Sequence, residues 1–385
     1  MFLAIRDIRF AKGRFALMGG VVALVTLLLV LLSGLTAGLG DQSTSAIGRL
    51  GAGPGGGSGS RPVDSIAFGA PGSNKPTASF TESEVTAAQV DSWQHAPGVA
   101  RAEALGISQS RLQAGDGGTT NVAVFGVAAD GQLAPSPTRA GTLVIGSTVA
   151  ANLSLDVGDT ATMGGTDLTV AAVVDDQWYS HTGVVWTALP TWADVAHIAP
   201  VSGTAGSAAS RAAGNPPVAT VVAVTYQEGA VVDEAAANAM AGTVSTSRTG
   251  SFQALGSFKS ENGSLMLIQA FLYGISALVI VAFLTVWTVQ RTRDIAVLKA
   301  MGASGGYLLR DAITQALIVL VAGAGLGGTV GVLGGFAAAQ AAPFLVTPAT
   351  TLLPVLGIVV LGLAGAALAV RRVTTVDPLI ALGGN

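Results

Sequence analysis

Three stretches of this sequence contain no Asp, Glu, Lys or Arg: Phe15 to Gly40, Ser264 to Gln290, and the 59 residues from Ala312 to Val370. A hydrocarbon core of ~30 Å is crossed by about 20 apolar residues at ~1.5 Å rise each. Each of the first two stretches is therefore one membrane helix long, and the third is long enough for two. The third divides between Gln340 and Pro354, where AAPFLVTPATTLLP carries three prolines and a cluster of threonines. Membrane helices are thus expected at 15–40, 264–290, 312–340 and 351–370, with a short loop at 341–350.

Half of the residues are apolar and only 11% are charged, a balance that points to lipid. The formal net charge of -3 gives no reason to expect nucleic acid as a partner. A secretory signal peptide, with Arg6, Arg9, Lys12 and Arg14 as its positive end, is the alternative reading of the first stretch. That stretch is longer than a signal core of ~7 to 15 residues, and no clear Ala-x-Ala site follows it, so a retained helix fits better. The chain has no cysteine, which excludes disulfides, thiolate metal sites and a cysteine nucleophile.

Charge distribution orients the helices. The short pieces 1–14, 291–311 and 371–385 hold ten Lys/Arg against four Asp/Glu, whereas 41–263 holds nine against eighteen. The positive-inside rule then places both termini in the cytoplasm and one large domain outside, between helices 1 and 2. Met1 to Arg14 sets Phe2, Ile5 and Ile8 at helical spacing and reads as an amphipathic helix on the inner membrane surface.

Within 41–263, GAGPGGGSGSRP (51–62) reads as a flexible linker. Ser65 to Phe68 reads as a strand, and Thr81 to Gln94 as a helix opened by Thr81 with Glu84 completing a capping box. Val99 to Gln113 and Thr119 to Val127 read as strands, giving half of a split α/β sandwich. Between 141 and 198 a short helix at Ser147 to Leu153 precedes strands near Ala161 to Met163, Asp167 to Val173 and Val184 to Thr187, a small β subdomain. Ala199 to Pro217 reads as a loop. Strand, helix and strand at Val218 to Tyr226, Val232 to Met240 and Gly242 to Arg248 would complete the sandwich around the inserted subdomain. The expected fold is therefore a four-helix membrane protein with a large extracellular α+β domain.

Gly323, Gly327, Gly331 and Gly335 recur every four residues in helix 3, and Gly34 and Gly38 do so in helix 1. Small residues at this spacing let helix backbones approach closely in lipid. His95, His181 and His197 lack metal-ligand spacing, so no metal site is expected, and Asp175-Asp176 reads as a polar turn. No Ser-His-Asp spacing or paired carboxylates stand out, so no catalytic residue is assigned. A second amphipathic helix follows helix 2: RTRDIAVLKAMGA sets Ile295, Leu298 and Met301 on one face, suited to lipid or to a partner's groove.

Gln290 to Ser304, QRTRDIAVLKAMGAS, resembles the segment after the second membrane helix in FtsX/MacB-type ABC transporter permeases. The start IRDIRFAKGRFAL, the stretch AANLSLDVGDT at Ala150 to Thr160 and the end RRVTTVDPLIALGG resemble the same family. The resemblance implies a homodimeric permease in the bacterial plasma membrane, driven by a separate cytoplasmic ATPase that binds ATP and Mg. It makes 291–311 the coupling element, with Arg291, Arg293, Asp294, Leu298, Lys299 and Met301 against the ATPase. No Gly-Lys-Ser/Thr occurs in the chain, consistent with a borrowed ATPase. The family also implies mechanotransmission, in which ATPase closure moves the external domains.

Lys259 to Gln290 is most similar to the DevC and haem-exporter permeases, which makes haem the expected substrate, with no permanently bound cofactor. Haem takes axial ligands such as Met, Tyr or a carboxylate. Glu261, Met266, Gln269 and Tyr273 at the outer end of helix 2 are the candidates, each with packing or an interfacial aromatic as its alternative reading. An FtsX-like permease that transports nothing and regulates an external cell-wall hydrolase is the competing class. Lipid, lipoprotein or antibiotic export are further readings.

Overall fold

In the computed structural model, the described residues are 12–53, 61–129, 131–198, 216–290, 301 and 304–374. Residues 1–11 of the amphipathic segment expected at 1–14 and most of the linker at 51–62 lie outside them, as do most of the loop at 199–217 and of the tail. The chain divides into two units, Gly40–Glu261 and the remainder.

Among the described residues, four helices are long and apolar enough to cross a membrane, over Phe15–Gly48, Gly256–Phe283, Arg310–Ala338 and Pro348–Leu368. They belong to α1 (Lys12–Gly48), α6 (Gly256–Gln290), α7 (Gly305–Ala338) and α8 (Pro348–Thr374). Their shared core contains Val22 and Leu29 of α1, Ile280 of α6, Leu320 and Ala324 of α7, and Ile358 of α8. Leu267, Phe271, Ile275 and Leu278 of α6 remain exposed, the apolar outer surface that lipid requires. The threonine cluster before α8 is a cap: Thr350 N–H donates to Thr347 Oγ1 at 3.1 Å, and Thr347 N–H to Thr350 Oγ1 at 2.9 Å.

Several boundaries differ from the charge-free stretches: α7 starts at Gly305 instead of 312, and α8 spans Pro348–Thr374 instead of 351–370. Helix α1 runs on to Gly48 and α6 starts at Gly256, because charge marks the edge of the apolar slab, not the end of a helix. The last turns of α1 have their own packing: Ala46 and Ile47 are fully buried against Ile66 and Phe68. Arg248 Nη1 donates to the Gly48 carbonyl, a cation at the negative end of the helix.

Residues 40–261 form a mixed α/β domain. Strands β1 (Ser65–Phe68), β3 (Val99–Ala114), β11 (Val221–Tyr226) and β12 (Val244–Ser247) pair antiparallel in the order β12-β1-β11-β3. Helices α2 (Ala87–Gln94) and α5 (Glu234–Ala241) cover one face, where Trp93, Val222, Val224 and Ala237 are buried. Alternate residues Ile66, Phe68, Val221 and Ala223 enter the core on the other face. This is a split βαββαβ sandwich as expected from sequence, except that Thr119–Val127, expected in its first half, belongs to the inserted subdomain.

The inserted subdomain is a closed barrel. The second half of β3 pairs with β4 (Thr119–Val127), β4 with β9 (Thr182–Ala188), and β9 with β5 (Thr142–Gly146). Strand β5 pairs with β7 (Thr166–Val174), β7 with β6 (Thr160–Met163), and β6 returns to β3. Leu112, Val122, Val185, Ile145, Val170 and Met163, one from each strand, share its core with helices α3 (Ser147–Leu153) and α4 (Leu189–Val195). The subdomain therefore extends beyond 141–198. At 16 residues and ~3.3 Å each, β3 is about 53 Å long, enough to serve both sheets.

The helix expected from Thr81 starts later. Thr86 is its cap: Gln89 N–H donates to Thr86 Oγ1 at 3.3 Å and Thr86 N–H to Gln89 Oε1 at 2.9 Å. Thr81 and Glu82 form a turn before it, and β2 (Val85–Thr86) pairs with β10 (Pro217–Ala219). Ser83 pins this stretch, its hydroxyl donating to the Thr220 carbonyl at 2.7 Å. Asp176 accepts from Thr148 N–H at 2.8 Å and from the hydroxyls of Ser147 and Thr148, capping α3 from a distance.

Candidate functional site

The glycine stripe of α7 lies against α1. A Cβ on Gly327 would overlap the Ala23 carbonyl, and one on Gly323 would come within 2.7 Å of the Gly19 carbonyl oxygen. At Gly331 the neighbour is Val30 Cγ1, at 2.9 Å. Gly34 and Gly38 of α1 face something else: a Cβ there would overlap the Phe344 ring and the Pro343 carbonyl respectively. A Cβ on Gly335 would stand 2.6 Å from the same Phe344 ring, and Leu345 N–H donates to the Gly34 carbonyl at 3.1 Å. These glycines admit a loop as well as a helix.

The four residues singled out on α6 are held in different ways. Met266 is exposed, and Gln269 donates to Ser33 Oγ of α1 at 3.3 Å. Tyr273 packs on α8, its ring 3.1 Å from where a Gly357 Cβ would stand. Glu261 lies in the α/β domain, where its Oε2 is 2.8 Å from His181 Nε2.

That pair belongs to a cluster which sequence reasoning did not assemble. Strand β8 (Trp178–Tyr179) and β9 form a tight hairpin whose central residues Ser180 and His181 both have positive φ, at 47° and 63°. A two-residue turn of this kind favours Asn-Gly, so Ser-His needs outside support. It has it: Ser180 N–H donates to the Ser43 carbonyl at 3.1 Å and His181 N–H to the Gln42 carbonyl at 3.0 Å. His181 Nε2 also meets Ser43 Oγ at 3.1 Å, and Ser180 Oγ lies 3.2 Å from Ser257 Oγ. Ser43, His181 and Glu261 are the residue types of a hydrolase triad. Here hydroxyl and carboxylate share one ring nitrogen, whereas a relay needs them on opposite nitrogens. The arrangement is a clamp joining the end of α1, the hairpin and the start of α6. No local spacing signals it, because the partners lie 138 and 80 positions apart.

Arg291, Arg293, Asp294, Leu298 and Lys299 lie outside the described residues. Met301 is exposed. It precedes α7, whose first turn is capped by Ser304 accepting from Tyr307 N–H at 3.3 Å.

Four apolar helices and a split sandwich with an inserted barrel define an integral membrane protein built around one large α/β domain. Residues 15–242 match the family model of the MacB-like periplasmic core domain, and 248–378 match that of the FtsX-like permease C-terminal region. The chain belongs to the FtsX/MacB-type ABC transporter permeases, a family of membrane subunits that work with a cytoplasmic ATPase and are not themselves enzymes.

Among relatives, it is 29% identical over 131 residues to a hemin transport system permease protein HrtB of Staphylococcus epidermidis, covering 34% of this chain and 37% of that one. The Staphylococcus haemolyticus HrtB is 31% identical over 130 residues, covering 34% and 37%. The chain thus spans little more than a third of the length of these relatives. An uncharacterized ABC transporter permease of Mycobacterium tuberculosis is 23% identical over 397 residues, covering 100% of this chain and 99% of that one. Among solved structures, the periplasmic region of MacB from Actinobacillus actinomycetemcomitans matches with a TM-score of 0.34 at 9% identity, over 49% of this chain and 89% of that one. The extracellular domain of YknZ from Gram-positive bacteria gives 0.33 at 12% identity, over 48% and 98%.

Proposed function

We propose that this permease exports an amphipathic molecule from the membrane, that the molecule is haem, and that a separate ATPase drives it by mechanotransmission. The observation that carries the substrate is the similarity to the HrtB hemin permeases. The mechanical reading is supported by α1 and α6, each an unbroken helix with residues in both units. ATP shifts such an equilibrium only by favouring one state over the other. In this reading the chain works as a homodimer with both termini in the cytoplasm, and 291–311 meets the ATPase. Met266, exposed on α6, and Tyr273, two turns further on, are the leading haem ligands, and Gln269 and Glu261 are the other candidates.

The test is a haem titration of the full permease with its ATPase in nanodiscs, reading the Soret band and ATP hydrolysis together. A saturable Soret shift, stoichiometric with protein and lost in Met266→Ala or Tyr273→Phe, is expected. Nonsaturable partitioning with ATP hydrolysis indifferent to haem would sink the haem reading and favour a regulatory permease acting on an external protein.

A further inference from the structure

Helices α1 and α7 run parallel, with Gly19 level with Gly323 and Ala23 level with Gly327. At Gly327 the backbones meet, since a Cβ there would overlap the Ala23 carbonyl. Beside that contact lies a groove of about 450 Å³, walled by residues from 15–23 of α1 and 318–326 of α7. Phe15 and Val319 are buried beneath it, and Ile318 and Leu326 are exposed at its edge. Gly20 also lines it, and unlike Gly323 and Gly327 it is uncovered: a Cβ on Gly20 would meet nothing within 4 Å.

Depth and width decide what can occupy the groove. Both walls fall within charge-free runs, at the level of the hydrocarbon, where water does not fill a space. The described lining residues are Phe, Ala, Gly, Ile, Val and Leu, whose side chains offer an occupant only van der Waals contact. Eight residue steps at ~1.5 Å rise make the groove about 12 Å long, so its cross-section is roughly 40 Å². A helix, about 10–12 Å across with its side chains, has twice that cross-section or more. A hydrocarbon chain, packing at about 4–4.5 Å contact distance, fits.

We propose that this groove binds the acyl chain of a phospholipid, lying along α1 and α7 as part of their packing. Association in lipid is driven by contact and not by the hydrophobic effect. A chain in the groove is touched by two helices and by the bare backbone at Gly20, whereas a chain on a single helix face is touched from one side. The bound lipid therefore exchanges more slowly than its neighbours. The inference is independent of the haem reading.

The full chain in palmitoyl-oleoyl phosphatidylcholine nanodiscs, with a small share of the same lipid spin-labelled near the end of its chain, tests this. A motionally restricted component is expected in the spin-label spectrum, and native mass spectrometry after transfer to mild detergent should find about one phospholipid retained per chain. Gly20→Leu places its side chain in the open groove and should lower retention about fivefold or more, with loss of the restricted component. Gly325→Leu, at the same depth on α7, outside the groove and also with nothing within 4 Å, should leave both unchanged. Absence of retained lipid in the unmodified chain, or equal retention in the two variants at native circular dichroism, would overturn the proposal. So would a smaller assembly for Gly20→Leu by light scattering, which would assign the groove to a second copy of the chain.

Discussion

His181 Nε2 stands 2.8 Å from Glu261 Oε2, so a hairpin turn in the α/β domain is bonded to the start of the helix that becomes a membrane span. Ser43 on the same nitrogen brings in the end of α1. The three contacts tie the end of α1, the β8–β9 turn and the start of α6 to one another.

The pair is partly exposed, so its energy is modest. A double-mutant cycle of His181→Ala and Glu261→Ala, followed by denaturant unfolding of the full chain in detergent with tryptophan fluorescence, should give a coupling of about 0.5–1 kcal/mol. Strict additivity of the two substitutions would show that the contact contributes nothing.

Gly327→Val should loosen the packing of α1 against α7, because the new Cβ overlaps the Ala23 carbonyl. Overpacking of this kind costs about 1–3 kcal/mol. Thermal unfolding in detergent should fall by several degrees, while Gly325→Ala, with nothing within 4 Å, should leave it unchanged.

Glu234 anchors a polar network. Tyr226 OH donates to its Oε1 at 2.7 Å and the Ser245 hydroxyl to its Oε2 at 2.7 Å. Asn238 Nδ2 continues to Ser245 at 2.8 Å, and Trp93 Nε1 donates to Thr243 at 3.0 Å. Glu234→Ala should cost about 1.5–3 kcal/mol, the range for hydrogen bonds to a charged group. The exposed Glu228→Ala should change unfolding by less than about 0.5 kcal/mol.

Desolvation by burial pushes the Tyr179 and Tyr226 phenols well above the ordinary value of 10.0, with Glu234 adding to the shift at Tyr226. A phenol whose folded pKa is raised keeps its full stabilising contribution below the unfolded value. It loses that contribution as pH rises above about 10. Unfolding followed from pH 8 to 11 should therefore show stability falling at the alkaline end, and Tyr179→Phe should flatten the fall. A fall of unchanged steepness would show that Tyr179 does not cause it.

The parts of the fold legible in the sequence are those set by local pattern. Charge-free runs locate α1, α6, α7 and α8, short β-rich runs at Ser65–Phe68 and Val218–Tyr226 give strands, and Ser147–Leu153 reads directly as a helix. Local pattern misplaces the start of α2, because Thr81 with Glu84 and Thr86 with Gln89 are both acceptable capping boxes. Only the tertiary hold on Ser83 decides between them. The ring closure of β3 onto β6 and the meeting of Ser43, His181 and Glu261 depend on long-range pairing and leave no local trace.

Strand β3 has one more consequence. Its first residues are bonded to β11 and its last to β4 and β6, so one continuous backbone ladder is common to sandwich and barrel. A hinge between the two would have to bend or slip that strand, and a slip of one residue would turn Leu105 and Leu112 out of their cores. The domain is accordingly stiff along β3, and a load applied at one end is delivered at the other with little lost to internal give.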